Sequence, residues 1–302
     1  MRIGNARRAV LASAGALALA LSMAACGEQE NEGGASGAGS PAPSTSVDQA
    51  LADRVPDAIK ADGVIKVGTD STYPPAEYLD TDGSTVIGFD VDLFNAVAAK
   101  LGLKAEYVSA PFDALLPGVT SGQYEVGVSS FTINPERLQT VTMVSYFEAG
   151  TQWATKAGNP AGINPDDACG KKIAVQTGTV QLDDITARSE KCVTDGKPAI
   201  TIDQYQAQSD ATAAVVSGKN DAMLADSPVG AYAVKQTNGQ LELLGDIYES
   251  APYGYAVTKD QQAFAEVLRD ALKALIADGT YEAALANWGV EAGGIDNPEV
   301  NA

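Results

Sequence analysis

Two stretches of this chain alternate strand and helix signals, and that alternation limits the possible folds more than any other feature of the sequence. The first stretch begins with a β-branched strand at Val64 and contains a helix from about Val91 to Leu101, for which Asp90 is the predicted N-cap. Its further elements are the strand AEYVSA, the short helix FDALLPGVTSG and the strand YEVGVSS. Because helices connect successive strands in this order, we predict an α/β fold with a parallel sheet.

The second stretch shows the same alternation after a turn-rich segment. It contains the strand KKIAVQ, a helix that starts near Gln181, the strand PAITIDQY, the helix DATAAVVSG and a strand that ends at Asp226. A strand at about 151–155 precedes it, and the strand YGYAVTK follows it. Two amphipathic helices come last, and the longer one ends at Gly279. The pattern predicts two α/β units and a helical carboxy-terminal segment.

The segment SSFTINPER, residues 129–137, has the composition of a carboxylate-binding turn. Three hydroxyl residues lie at or just past the end of this predicted strand, namely Ser129, Ser130 and Thr132. Pro135 marks a turn and is suited to the first position of a helix. Arg137 then lies in the first helical turn, where its planar guanidinium can hold a carboxylate through two parallel hydrogen bonds. Since open α/β sheets bind ligands at strand ends, we predict an anion site here.

Together with VGTDSTYPPAEY, GFDVDLF and PFDALLPGVTSG, this motif resembles the polar amino-acid-binding family of solute-binding proteins, which deliver substrates to ABC importers. The resemblance runs from about Gly63 to Trp288. It implies a two-lobed periplasmic-binding-protein-like fold of type II, in which two crossovers join the lobes and the ligand lies between them. One departure is that the usual YPPF is YPPA here, so Ala76 either gives up an aromatic contact or leaves room for a bulkier ligand.

The resemblance also implies which residues bind the ligand. Arg137 matches the residue that clamps the α-carboxylate with help from Ser130 and Thr132, and Asp226 matches the residue that takes the α-ammonium group. Tyr73 and Phe112 match aromatic wall positions, Asp70 matches an acid near the ligand side chain, and the loop before the helix at Gln181 faces the ligand. The predicted ligand-binding set is Asp70, Tyr73, Phe112, Ser130, Thr132, Arg137, Thr179, Gln181 and Asp226.

Structural alternatives exist for several of these residues. Asp226 precedes Ser227 and Pro228 and could cap a helix. Tyr73 and Phe112 could be aromatic residues of the core. An acid after a strand, such as Asp70, is also an ordinary turn former.

The amino terminus has the pattern of a lipoprotein signal. Arg2, Arg7 and Arg8 precede an apolar run too short for a membrane span, and small residues lead into Cys26. We predict that Cys26 becomes the acylated first residue and that the following Gly- and Ser-rich segment is a flexible tether with a reach of about 25 Å. The predicted organisation is a signal peptide at 1–25, a lipid-anchored linker at 26–47, lobe 1 at 48–150, lobe 2 at 151–250 and a return segment of lobe 1 at 251–302.

The composition excludes several kinds of function. The formal charge of −19 disfavours nucleic acid and anionic lipid surfaces as partners. The chain has no histidine, which excludes histidine-based triads and imidazole metal sites. Two cysteines remain beyond Cys26, and because an exported protein meets oxidising conditions we predict a Cys169–Cys192 disulfide worth about 3 kcal/mol.

We therefore expect an extracytoplasmic, lipid-anchored and monomeric protein that captures a polar L-amino acid and passes it to an ABC permease with its ATPase subunits. Asp70 and the nearby Glu77 favour a basic or amide side chain on that ligand. No cofactor, metal or catalytic residue is predicted. Two alternatives are an enzyme on the same fold, a dehydratase or cell-wall lyase with Asp70 and Glu77 as a carboxylate pair, and an amino-acid-sensing subunit.

Overall fold

The helices of the protein range from four to sixteen residues in length. The computed structural model describes residues 45–301. Its helices are α1 (Gln49–Ala52), α2 (Asp57–Lys60), α3 (Phe89–Lys100), α4 (Phe112–Thr120), α5 (Arg137–Thr140), α6 (Val180–Thr194), α7 (Gln208–Ser217), α8 (Ser227–Gln236), α9 (Gln262–Ala277) and α10 (Thr280–Ala286). A single 3-10 turn follows at Glu291–Gly293.

The strands form one large mixed sheet and one small antiparallel sheet. They are β1 (Val64–Thr69), β2 (Thr72–Tyr73), β3 (Glu77–Leu79), β4 (Val86–Ile87), β5 (Lys104–Ser109), β6 (Val126–Gly127), β7 (Val141–Lys156), β8 (Lys172–Gln176), β9 (Thr201–Tyr205), β10 (Ala222–Asp226) and β11 (Leu241–Thr258). The large sheet has the order β5-β1-β6-β11-β7-β10-β8-β9, and β2, β3 and β4 form the small sheet.

Two long strands join the two halves of the large sheet. On one side β1 pairs in parallel with β5 and β6, and on the other β8 pairs in parallel with β9 and β10. Between these parallel groups, β7 and β11 run antiparallel to each other, with register shifts near Tyr248. They are the two crossovers, because β7 leads the chain out of the first half and β11 returns it. The predicted α/β, two-lobed fold is confirmed.

Each half has a core of its own. In the first half, Phe94 of α3 packs with Leu268 of α9 and Tyr281 of α10. In the second half, Trp153, Ile173 and Ile185 form a separate cluster. The carboxy-terminal helices therefore return to the first half after the second crossover, where their apolar faces are buried.

Two predictions about helix starts are wrong. The N-cap of α3 is Gly88 with φ +141°, and Asp90 lies inside the first turn with no exposed surface. The carbonyls of Pro75 and Ala76 accept hydrogen bonds from the N–H groups of Phe89 and Asp90, so no side-chain cap is needed. A Cβ at position 88 would lie 1.9 Å from the Ala76 oxygen. Likewise Pro135 precedes α5, whose N-cap is Glu136.

The crossover strands are longer than predicted. β7 is buried along almost its whole length, so it lacks the alternation of polar and apolar residues that marks a half-exposed strand. Residues 141–150 therefore show no alternation of polar and apolar side chains, and only the part at about 151–155 was predicted as a strand. The small sheet was not predicted, and the helix α8 entered only through the alternative in which Asp226 caps a helix.

The Cys169–Cys192 disulfide is present, with the Cα atoms 5.6 Å apart. It ties the segment before β8 to the last turns of α6. The predicted signal peptide and Cys26 lie outside the described residues. Between residues 45 and 301, no helix combines the length and apolar character required to cross a bilayer.

Candidate functional site

A narrow cleft lies where the carboxyl ends of strands from the two halves face each other. β1 and β6 end there from one side, and β8 and β10 end there from the other, which is the usual ligand position in open α/β sheets. Its lining residues are Tyr73, Phe112, Ser130, Thr132, Arg137, Gln176, Thr179, Val180, Gln181 and Asp226. The structure thus brings together eight of the nine residues predicted to bind ligand, and Asp70 lies just behind Gln176.

Arg137 enters the cleft from the first residue of α5. Its backbone N–H donates to Asn134 Oδ1 at 2.8 Å, which fixes the turn. The guanidinium donates to the carbonyl oxygens of Thr132 (2.8 Å) and Gly178 (3.2 Å), and it lies 5.4 Å from the ring centroid of Phe112. Burial lowers the pKa of Arg137, while the charge of Asp226 opposes that shift. The side chain takes part in none of the ion pairs within residues 45–301. Its remaining donors are available to a carboxylate.

Asp226 is the last residue of β10 and is 5% exposed. Its Oδ2 accepts from the Tyr73 hydroxyl at 2.8 Å, and its Oδ1 accepts from Gln181 Nε2 at 2.8 Å. Burial raises the pKa of Asp226, and hydrogen bonds, including those from Tyr253 and Tyr73, partly offset the rise. Although Asp226 occupies the N-cap position of α8, its side chain makes no capping bond. The carboxylate is directed to the cleft.

Ser130 has a left-handed backbone, with φ +47°. Its N–H and its hydroxyl both donate to Asp90 Oδ2, at 2.9 and 3.1 Å. The Ser130 oxygen therefore offers lone pairs to the cleft, and its hydroxyl hydrogen is already committed. The resemblance implied that Ser130 helps Arg137 to bind a carboxylate, but a hydroxyl that already donates to Asp90 has no hydrogen left to donate to one.

The loop before α6 brings the second half against the first. Thr179 caps α6, since its hydroxyl accepts from the Leu182 N–H at 3.2 Å and donates to the Gln176 carbonyl at 2.8 Å. The first N–H groups of this 15-residue helix have no partner within the helix, and together with the positive end of the helix dipole they favour a negatively charged group at this point. Gly178 has φ +78°, and a Cβ there would lie 2.9 Å from the Asp113 Cβ. Only glycine allows so close an approach at this point.

Asp70 and Gln176 join the two halves at one end of the cleft. Asp70 Oδ2 accepts from Gln176 Nε2 at 2.6 Å, and Asp70 Oδ1 accepts from the Thr72 hydroxyl at 2.8 Å. Burial raises the pKa of Asp70, and these hydrogen bonds oppose the rise. Gln176 and Val180 line the cleft but were not in the predicted set. The strand-end position of Gln176, next to the loop at Thr177, was a signal that could have included it.

Two residues near Tyr73 lie away from the cleft. Ala76 is 1% exposed and packs in the core of the first half, so the YPPA sequence changes the core and not the cleft wall. Glu77 has no exposed surface, and its Oε1 accepts from the Ser129 hydroxyl at 2.7 Å. Glu77 is therefore buried beneath the site and does not line the cleft.

Comparison with known proteins places this architecture in a defined group. The family model for bacterial extracellular solute-binding proteins, family 3, matches residues 65–291. The chain is 37% identical to the arginine-binding protein ArgT of Corynebacterium glutamicum over 248 residues, which are 82% of this chain and 81% of that protein.

Two solved structures share the fold. An ancestral arginine-binding protein bound to arginine has a TM-score of 0.70 and 32% identity, with 75% of this chain and 98% of that chain covered. The ancestral amino acid-binding protein AncCDT-1, a precursor of cyclohexadienyl dehydratase, has a TM-score of 0.67 and 32% identity, with 77% and 98% covered. The match over residues 65–291 and the similarity to these named binding proteins show that the chain belongs to the bacterial extracellular solute-binding proteins, family 3.

Proposed function

We propose that this protein captures a free basic L-amino acid, with L-arginine preferred, and delivers it to an ABC permease. The observation that carries the proposal is the pairing of Arg137 and Asp226 in one cleft. One is a cation outside every ion pair of the described residues, and the other is a buried carboxylate held by neutral donors. An α-amino acid carries the complementary charges on adjacent atoms, so each of its ends satisfies one of these groups.

The site residues then have distinct roles. Arg137 and the N–H groups at the start of α6 bind the carboxylate, with Thr132 beside them. Asp226 and the lone pairs of Ser130 bind the ammonium group. Phe112 and Tyr73 shield the aliphatic part of the ligand from water.

The preference for a basic side chain rests on Asp70. Its carboxylate is held by neutral donors, from Thr72 and Gln176, and it takes part in no ion pair of the described residues. A guanidinium reaching this end of the cleft gains a charge-assisted bond, whereas a glutamate side chain meets a like charge. The names of ArgT and of the ancestral arginine-binding protein support the same ligand.

Binding is coupled to closure of the two lobes, taken as 48–150 with 251–302 and as 151–250. Contacts between them include Tyr73–Asp226, Asp70–Gln176 and the Arg137–Gly178 hydrogen bond. A ligand that touches both lobes favours the closed arrangement because it binds that arrangement more tightly.

We propose that the protein acts as a monomer at the outer face of the membrane, held by a lipid on Cys26 and the flexible linker. A role as binding protein is favoured over catalysis because Glu77, the expected partner of Asp70 in a carboxylate pair, is buried outside the cleft.

Isothermal titration calorimetry on the mature chain tests the ligand. We expect L-arginine to bind with micromolar or tighter affinity, about 8 kcal/mol or more, ahead of lysine, ornithine, citrulline and glutamine. N-acetylarginine, which lacks the ammonium group, is the matched control and is expected not to bind. A preference for glutamate or leucine contradicts the assignment of Asp70.

A further inference from the structure

Two carboxyl groups, those of Glu77 and Asp90, are buried together beneath the turn that carries Ser130. Neither side chain has exposed surface. One oxygen of Glu77 accepts a single hydrogen bond, and one oxygen of Asp90 accepts three. Glu77 Oε1 accepts from the Ser129 hydroxyl at 2.7 Å, and Asp90 Oδ2 accepts from the Ser130 N–H (2.9 Å), the Ser130 hydroxyl (3.1 Å) and the Tyr146 hydroxyl (2.6 Å).

The other oxygen of each group has no partner. Within residues 45–301, Glu77 Oε2 and Asp90 Oδ1 are both buried without a hydrogen-bond donor. An ionised carboxylate can only accept, whereas a protonated carboxyl group has one O–H donor. The two side chains are within hydrogen-bonding reach of each other, so one proton held between them gives each carboxyl group the partner that it lacks.

No lysine or arginine forms an ion pair with either group in the described part of the chain. The titratable groups that face the pair are acids and phenols, namely Asp70, Tyr73, Tyr107, Tyr146 and Tyr255. Two buried carboxylate charges side by side without a cation are strongly unfavourable.

The hydrogen bonds indicate which group keeps the proton. Burial raises the pKa of Glu77 well above its usual value, and the charge of Asp90 raises it further. Burial also raises the pKa of Asp90, but hydrogen bonds from Tyr146, Glu77 and Ser130 oppose that rise. Asp90 has the greater number of donors, so the negative charge is more stable there.

We propose that Glu77 and Asp90 share one proton, carried on Glu77 Oε2 and donated to Asp90 Oδ1, and that this acid–carboxylate pair positions Ser130 for the ligand. A serine at φ +47° is in a region that side chains disfavour, and two hydrogen bonds to a carboxylate offset that cost. The positioning role rests on the proposed amino-acid binding. The shared proton does not, and it is tested without any ligand.

Infrared spectroscopy of the ligand-free protein tests the shared proton. We expect a C=O stretching band of a protonated carboxylic acid at neutral pH, which Glu77→Gln removes. Glu106→Gln, at an exposed glutamate of β5 in the same half, is the matched control and leaves the band in place. If the wild-type protein has no such band, the proposal is wrong.

Unfolding measured as a function of pH gives a second test. The pKa of Glu77 is raised in the folded state, so its protonation stabilises the protein fully below the unfolded pKa, and this contribution is lost as pH rises toward the folded value. Between the two values, the folding equilibrium constant of the wild type relative to Glu77→Gln is expected to fall about tenfold per pH unit. A ratio independent of pH overturns the proposal.

The affinity of variants for L-arginine shows which of the two carboxyl groups carries the proton. Glu77→Gln keeps a donor toward Asp90 and an acceptor for Ser129, so we expect binding within about twofold of the wild type. Asp90→Asn removes the charge that holds Ser130, and we expect a loss of about tenfold or more. The reverse order places the proton on Asp90 and refutes the assignment.

The shared proton can still be tested if Asp90→Asn does not fold or if the wild type binds no amino acid. If Asp90→Asn does not fold, Tyr146→Phe removes one donor to Asp90 while keeping the ring, and it is expected to shift the acid band; an unshifted band counts against the shared proton. If the wild type binds no amino acid, the proposed function fails, and the spectroscopic test of the proton still decides.

Discussion

Replacement of Arg137 is the most direct test of the cleft as an amino-acid site. In Arg137→Ala the ligand carboxylate is buried without its cation, and removal of one partner from a buried, hydrogen-bonded charge pair costs about 2 to 5 kcal/mol. At about 1.4 kcal/mol per tenfold change, this is a loss of roughly 30-fold to several thousand-fold in affinity for L-arginine. Arg137→Lys keeps the charge but loses the planar fork and the stacking on Phe112, so we expect the lower end of that range.

A second stacked arginine provides the matched control. The guanidinium of Arg188 lies 5.1 Å from the ring centroid of Tyr248 and 6.0 Å from that of Trp153, outside the cleft. Arg188→Lys therefore removes a comparable stacked guanidinium without touching the ligand, and its affinity is expected to match the wild type. Calorimetric titration with L-arginine gives the affinities, and thermal unfolding followed by circular dichroism shows whether each variant is folded. Wild-type affinity in folded Arg137→Ala would refute the role of Arg137.

Three further changes test other parts of the site. Affinity for L-arginine should fall as pH is lowered, because burial raises the pKa of Asp226 and protonation there removes the charge that binds the ammonium group. Asp226→Asn should bind weakly at every pH. If its affinity changes with pH as steeply as that of the wild type, Asp226 does not have this role. Gly178→Ala should weaken arginine binding, because the new Cβ meets Asp113 when the lobes are closed. Gly196→Ala, at another left-handed glycine with open space around it, is the control: both variants carry the strain of a left-handed backbone and should lose similar stability, but only Gly178→Ala should lose affinity. Equal affinities of the two variants contradict the closure argument. Reduction of the Cys169–Cys192 disulfide should destabilise the protein by about 3 kcal/mol, because the bridge constrains the unfolded chain. Arginine affinity should stay within a few-fold of the wild type, since the bridge lies outside the cleft. Two free thiols found by mass spectrometry in the exported protein would show that the bridge does not form.

Local patterns in the sequence were enough to predict the alternating elements. The amphipathic period of α9 and the left-handed Gly279 after it gave a helix that ends where expected. The strand-end hydroxyls followed by Arg137 predicted a group of polar side chains at one edge of the sheet, and Ser130, Thr132 and Arg137 do line one cleft there. These features depend on residues close together in the chain, so their signals are present in the sequence.

The tertiary structure decided what lies opposite each polar group. Asp90 has the sequence context of a helix cap and Glu77 that of a carboxylate beside the ligand, yet both are buried under Ser129 and Ser130, which lie 52 and 40 residues away in the chain. Periodicity tells which face of an element is apolar, but it does not tell which distant side chain will face it. The direction of Asp226, the contact of Gln176 with Asp70 and the close approach at Gly178 all follow from two lobes packed against each other. The sequence by itself determined the alternating elements and the charges that they carry, and only the packing of the lobes determined which charges face the cleft and which are held beneath it.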